Sequence, residues 1–219
     1  MTTATFDKDR AVLLLVDVQV DFLPGGALPV EHSDLIIEPL RKLMLADLFR
    51  YYVATQDWHP PGHISFASAH PGRAPMETME LYGHPQVLWP DHCVQGTPGA
   101  ELQATLPWHK LESIIRKGTD PQVDSYSGFR NNWDRRGERP PTGLNGYLKD
   151  RRLTDIFVCG LARDVCVKWT AQDAAQAGFR TCLLWDLSAS IDPSADTALG
   201  AELRDQGIEI LTSEQLFRH

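Results

Sequence analysis

Apolar residues run unbroken from Ala11 to Val16 and stop at Asp17. Such a run predicts a parallel strand buried on both faces. Beyond a Pro-Gly-Gly turn, Ser33 or Asp34 can cap a helix reaching about Asp47, with Leu35, Ile36, Leu40, Leu43 and Met44 as its apolar positions. A second strand is predicted over 51–55, delivering Gln56, Asp57, Trp58 and His59 into the loop that follows. Residues 60–107 are rich in Pro, Gly and His and show little periodicity. A loop of that length inside a compact domain is commonly functional, and its histidines argue the same way. Regular structure resumes with a strand over 112–116 that ends at Lys117-Gly118, followed by a polar loop over 134–142 and a short helix over 145–151. A buried strand over 155–159 ends in Gly160, and a helix over 164–177 closes at Gly178. A strand over 180–185, a helix opened by Asp192 or Ser194, a strand over 208–211 and a terminal helical turn complete the chain.

This alternation predicts an α/β fold: three layers, α/β/α, around a central, mainly parallel sheet. No repeat or linker divides it, so one domain over 1–219 is expected, with a loop-rich insertion about 57–107. In such sheets, ligands bind outside the carboxyl ends of the strands. Asp17, Asp57, Lys117 and Gly160 are all expected at strand ends, with Cys166 at the start of the next helix. That convergence is the argument for an active site at one edge.

Each residue also has a plainer reading. Cys166 lies between Val165 and Val167 and could be a buried helical cysteine, yet a helix N-terminus and a nearby lysine both favour a thiolate. Lys117 could be a surface residue before a glycine turn, and Asp17 a cap. As a set, Lys117 would stabilise the thiolate while Asp17 moves protons. Asp57, His59, His63 and His92 are candidate ligands for a divalent metal, against the alternative of hydrogen bonds that merely order loops. Asp-x-His is a weak motif alone; the second loop, Trp89-Pro90-Asp91-His92, gives it weight. His32, His70, His84, His109 and His219 lack such context and read as surface or structural.

Composition narrows the classes. With 219 residues, 42% of them hydrophobic, the chain can bury a sizeable core. A formal net charge of −8 argues against a nucleic-acid or membrane-surface partner, and Arg135-Arg136 reads as a solvated loop. No signal peptide or membrane-spanning run is recognisable. The four cysteines lack metal-pair spacing, and Cys159 and Cys182 fall in apolar runs, which together favour a reducing, cytoplasmic setting. Leu-rich helix faces fit core packing and a homo-oligomer interface equally well.

Several segments carry a resemblance. They are Val16-Asp17-Val18-Gln19-Val20-Asp21-Phe22, Thr55-Gln56-Asp57-Trp58-His59-Pro60 and Trp89-Pro90-Asp91-His92-Cys93-Val94-Gln95-Gly96-Thr97. Arg116-Lys117-Gly118, Tyr126-Ser127-Gly128-Phe129 and Gly160-Leu161-Ala162-Arg163-Asp164-Val165-Cys166 add to them. With these, the chain resembles the nicotinamidase (pyrazinamidase) branch of the isochorismatase-like cysteine hydrolases over about 11–190. The resemblance implies a triad of Asp17, Lys117 and Cys166, and one divalent metal on Asp57, His59 and His92 with waters. Zinc is the first choice, with iron or manganese as alternatives, and His63 falls at a position that supplies a fourth ligand in some relatives and not in others. It implies a ring slot lined by Phe22, Trp89, Tyr126 and Leu161. It also implies a cis peptide at Leu161–Ala162, with the N–H groups of Ala162 and Cys166 facing the oxyanion. The implied reaction is hydrolysis of nicotinamide to nicotinate and ammonia through a cysteine thioester, in NAD salvage, with pyrazinamide as a second substrate. Against it stand a sibling amide hydrolase that needs no metal and a non-catalytic, metal-dependent small-molecule binding protein. Arg163 and Val165 depart from the family pattern, and the loop between Lys117 and Tyr126 is longer than in some relatives.

Overall fold

A computed structural model describes residues 5–217. Six strands form the central sheet: β1 (Ala11–Val16), β2 (Tyr51–Asp57), β5 (Ser113–Lys117), β6 (Asp155–Leu161), β7 (Arg180–Ala189) and β8 (Glu209–Leu211). Their order is β5-β2-β1-β6-β7-β8, and every neighbouring pair runs parallel. A separate antiparallel hairpin joins β3 (Thr78–Leu81) to β4 (His84–Val87). The helices are α1 (Ile37–Leu45), α2 (Leu144–Asp150), α3 (Lys168–Gln176) and α4 (Asp196–Asp205).

The side-chain period of two divides β1 between two cores. Leu13 and Leu15 join Leu40, Leu43 and Met44 of α1 on one face. Val12, Leu14 and Val16 join Leu144 and Leu148 of α2, Ala171 and Ala174 of α3, and Leu199 and Leu203 of α4 on the other. Burying each such aliphatic side chain contributes about 1.5–3 kcal/mol, which explains why β1 tolerates no polar position. Three layers result, as the alternation implies.

The chain leaves β1 toward β2 and β5 on one side and reaches β6, β7 and β8 on the other. The reversal lies between β1 and β6, where a parallel sheet opens its ligand crevice. Asp17 follows β1, and Cys166 follows β6. Gly160 makes the approach of these two strands possible. It has φ +110°, and an added Cβ would overlap the Val16 carbonyl oxygen of β1. Gly160→Ala is therefore expected to destabilise the fold by about 3 kcal/mol or more, since strain and overpacking add. A urea midpoint shift equivalent to less than about 1 kcal/mol would contradict the tight approach.

Several boundaries differ from the sequence reading. The stretch 60–107 contains the β3–β4 hairpin rather than loop alone. Asp57 is the last residue of β2, not part of the loop, because β5 pairs with it through Lys117. Helix α3 starts only at Lys168; Cys166 sits in a wide turn in which the Val167 N–H reaches back to the Ala162 carbonyl at 3.0 Å. β7 continues to Ala189, carrying Ser188 into the sheet. Before α1, residues Ser33–Ile36 form a tighter 3-10 turn.

Candidate functional site

A cleft opens at the carboxyl edge, lined by Phe22, Trp89, Tyr126, Ala162, Val165 and Ile191 around Asp57, His92, Asp124 and Cys166. Lys117 is its electrostatic centre. The side chain is fully buried, with Nζ 2.9 Å from Asp17 Oδ2, 3.0 Å from Asp57 Oδ1 and 3.5 Å from Cys166 Sγ. It also donates to the Ser125 carbonyl at 2.8 Å. Burial works against the ammonium, yet Asp17 and Asp57 outweigh it and hold the Lys117 pKa well above the lysine range. Burial pushes the Cys166 thiol well up, with Lys117 opposing, so the resting group is a thiol. Burial also raises Asp17, and Asp57 adds to that, while Lys117 and a hydrogen bond from Thr55 pull the other way. Thr55 Oγ1 donates to Asp17 Oδ1 at 2.6 Å, a role its place in the motif did not reveal. A carboxyl poised upward beside a thiol can accept the thiol's proton.

Asp57 joins this group to the histidines. Its Oδ1 meets Lys117, while Oδ2 lies 3.1 Å from His59 Nε2 and 3.5 Å from His92 Nε2. Gln19 fixes the Asp57 backbone, accepting its N–H at 2.7 Å and donating to its carbonyl at 2.8 Å. His59 Nδ1 lies 3.1 Å from the Gly118 carbonyl and His92 Nδ1 lies 2.8 Å from the Pro90 carbonyl. A carbonyl can only accept, so both Nδ1 atoms carry hydrogen. The neutral rings then aim two Nε2 lone pairs at a carboxylate oxygen. Three electron-rich atoms converge with no hydrogen among them, a conflict that a cation resolves. Outer hydrogen bonds on Nδ1 are also how metal-binding histidines are usually oriented. Without a metal, a proton serves. Burial disfavours the His59 cation, but Asp57 outweighs it and the pKa rises. Burial likewise opposes ionised Asp57, yet His59 and Lys117 hold its carboxyl well below the usual range. Asp57, His59 and His92 therefore fit a divalent metal with open positions left for water or substrate.

His63 stands behind this set. Its Nδ1 is 2.7 Å from Ser65 Oγ and its Nε2 is 2.9 Å from the Asp120 carbonyl, so both nitrogens are engaged. With His59 and Asp124 it nevertheless forms a second close group of donors. Leu161, expected in the ring slot, is buried in the core as the last residue of β6 and does not line the cleft. The peptide bond from Leu161 to Ala162 is cis. Arg163 turns away from the cleft, bonding Ser188 Oγ at 2.9 Å, the Ser188 carbonyl and Asp196 Oδ2 at 2.5 Å. Val165 does face the cleft. Cys93, Cys159 and Cys182 are buried and free. His84 stacks on Trp133, His70 bonds the Ile64 carbonyl, and His32 pairs with Glu31. His109 lies on a short turn, and His219 falls outside the described residues. Asp124 was not foreseen; it follows no strand, and only the fold brings it to the cleft wall. Among the described residues no helix is long and apolar enough to cross a membrane.

Fold and cleft are those of a parallel-sheet hydrolase with a thiol at the cleft floor and a metal-donor cluster beside it. The isochorismatase domain family matches residues 11–215, and the chain belongs to that family. It is 42% identical over 209 residues to a nicotinamidase of Acinetobacter baylyi, covering 95% of each chain. A protein of L. infantum solved in complex with nicotinate has a TM-score of 0.84 at 41% identity, covering 97% of this chain and 98% of that one. A pyrazinamidase of Pyrococcus horikoshii solved in complex with zinc has a TM-score of 0.74 at 35% identity, covering 93% and 99%.

Proposed function

We propose that the protein is a nicotinamide amidohydrolase that releases nicotinate and ammonia, with pyrazinamide as a second substrate and NAD salvage as its setting. The observation that carries this reading is the sharing of Asp57. One oxygen orders Lys117 beside Cys166 and the other faces His59 and His92, so thiol and metal donors serve one cleft. Similarity over nearly the whole chain to nicotinamidases supports it. Four free thiols suit a reducing cytoplasmic setting.

Asp57, His59 and His92 would hold one divalent ion, zinc by the P. horikoshii precedent, which would supply Lewis acidity toward the ring nitrogen when bound. Phe22, Trp89 and Tyr126 sandwich the ring and exclude water. Asp17 takes the Cys166 proton, and Lys117, already beside the sulfur, stabilises the thiolate. Sulfur attacks the carboxamide carbon while the N–H groups of Ala162 and Cys166 receive the oxyanion. Collapse breaks the C–N bond, and Asp17 gives its proton to the leaving ammonia. Water then attacks the thioester; Asp17 takes its proton and returns it to sulfur as nicotinate leaves. Residues 57–107 act in this scheme as the metal- and substrate-binding insertion of one domain.

Purified protein given nicotinamide is expected to release ammonia and nicotinate in equal amounts. A chelator should stop turnover and added zinc restore it. No ammonia, with or without metal, would refute the assignment. Turnover that a chelator leaves untouched would favour a metal-free amide hydrolase of the same family.

A further inference from the structure

The β3–β4 hairpin turns one face of its second strand toward the cleft. His84 and Gln86, two residues apart on β4, share that face. His84 stacks on Trp133 with ring centroids 4.1 Å apart. Trp133 meets Trp169 edge-on, and Trp169 meets Tyr126 in the same way. Gln86 is 3% exposed. Its Nε2 lies 2.7 Å from Asp124 Oδ2, 3.0 Å from the Tyr126 hydroxyl and 2.8 Å from the Val87 carbonyl. Asp124 and Tyr126 both line the cleft, whereas Gln86 stands one layer behind them. The other Asp124 oxygen is occupied, accepting the Ser125 N–H at 2.8 Å. An amide has two hydrogens for these three acceptors, and a charged carboxylate takes the stronger bond.

We propose that Gln86 is a positioning residue for the aromatic substrate, setting the cleft wall through its hydrogen bonds to Asp124 and Tyr126. The inference rests on the amidohydrolase reading above and assigns the hairpin a part in ring recognition. Removing the amide leaves the buried Asp124 Oδ2 short of a donor and takes one partner from the Tyr126 hydroxyl, which keeps those of the Trp89 side chain and the Val87 backbone. Asp124 must then shift to find a donor while Tyr126 loses one of its anchors, and the slot they bound no longer matches a flat ring. Asp17, Lys117 and Cys166 make no hydrogen bond to Gln86, so the chemical step keeps its geometry. The signature is a rise in KM with little change in kcat, the mark of lost ring binding rather than lost transition-state stabilisation.

The test is steady-state kinetics of the zinc-loaded protein with nicotinamide and pyrazinamide. Gln86→Leu is expected to raise KM at least about tenfold while kcat falls less than about threefold, the scale of one hydrogen bond to a charged group. Gln86→Glu has the same shape but sets a second carboxylate against Asp124, and it carries the same expectation where the leucine variant does not fold. Combining Gln86→Glu with Asp124→Asn restores one amide facing one carboxylate, and should bring KM back to within about threefold of wild type. KM values of both single variants within about twofold of wild type overturn the positioning role, as does a fall in kcat as large as the rise in KM. Failure of the double variant to recover KM also overturns it. A wild-type chain that releases no ammonia overturns the functional reading and this one together; normal wild-type turnover with unaffected Gln86 variants overturns this one alone.

Discussion

Replacing Cys166 by alanine is expected to lower kcat for nicotinamide by more than about 10⁴-fold, in line with the loss of other enzymes' covalent nucleophiles. Nothing else in the cleft can form the thioester. The neighbouring thiols, Cys93, Cys159 and Cys182, are buried away from the lining, and burial pushes the Cys182 thiol up to about 12. The loss should fall on kcat. Asp57, His59 and His92 bond one another and Lys117 rather than the sulfur, so zinc content and ring binding should survive in the variant. Lys117 would retain its bonds to Asp17, Asp57 and Ser125, which keep its ammonium satisfied after the sulfur is gone. Cys182→Ala serves as the control, costing stability through a small core cavity but leaving kcat near wild type. Single-turnover ammonia release and zinc content of both variants check the set. Turnover by Cys166→Ala within about tenfold of wild type would remove Cys166 from the chemistry.

What the chain discloses before folding follows from how each feature is encoded. β1 and β6 are buried on both faces, so their sequences read as continuous apolar runs, and the residue that breaks each run, Asp17 in one and Gly160 in the other, marks the sheet edge. Asp17 was legible for that reason, whereas Lys117 ends β5, an edge strand whose burial alternates, and was marked by the Lys117-Gly118 stop instead. The β3–β4 hairpin was not, because each strand has only four residues and β4 carries Pro85, a residue that argues against a strand. Its one signal is Tyr82-Gly83, a two-residue turn in which both residues have positive φ, here with tyrosine where asparagine or aspartate is usual. The wide turn holding Cys166 looks like ordinary helix in sequence. Only the Val167 to Ala162 bond reveals the extra residue that faces the thiol into the cleft.

The two histidine loops show a different limit. Sequence alone offers Asp57, His59, His63 and His92 as equal donors, since each is simply a ligand-type residue on a loop. Resemblance set His63 apart from the other three. The folded chain supplies a physical distinction in what each Nδ1 and Nε2 already touches. Gln86 and Asp124 lay beyond both routes. Their significance comes from a buried hydrogen bond spanning residues far apart in the chain, which no local pattern encodes.

His92→Ala should cost the protein its metal without disturbing the triad. His92 is the cleanest ligand to remove. Asp57 also bonds Lys117, so its loss would confuse two roles, and the His59 ring packs against Gly118 beside Asp57. His92 touches the triad only through Asp57 Oδ2, at 3.5 Å, and its ring otherwise packs near Phe22 and Phe66. Outer partners of metal ligands already cost about 10–100-fold in affinity or activity when removed, so a direct ligand should cost more than about 100-fold in kcat/KM. Most of that loss is an affinity effect, which mass action can reverse in part, so excess zinc should recover a measurable share of activity. The Cys166→Ala variant would show the opposite behaviour, full zinc content and no rescue. Metal analysis after dialysis distinguishes them, with His109→Ala, on a turn away from the cleft, as the control that keeps its zinc. An unchanged metal-to-protein ratio in His92→Ala would show that the ion sits elsewhere, with His59, His63 and Asp124 as the remaining group of donors to test.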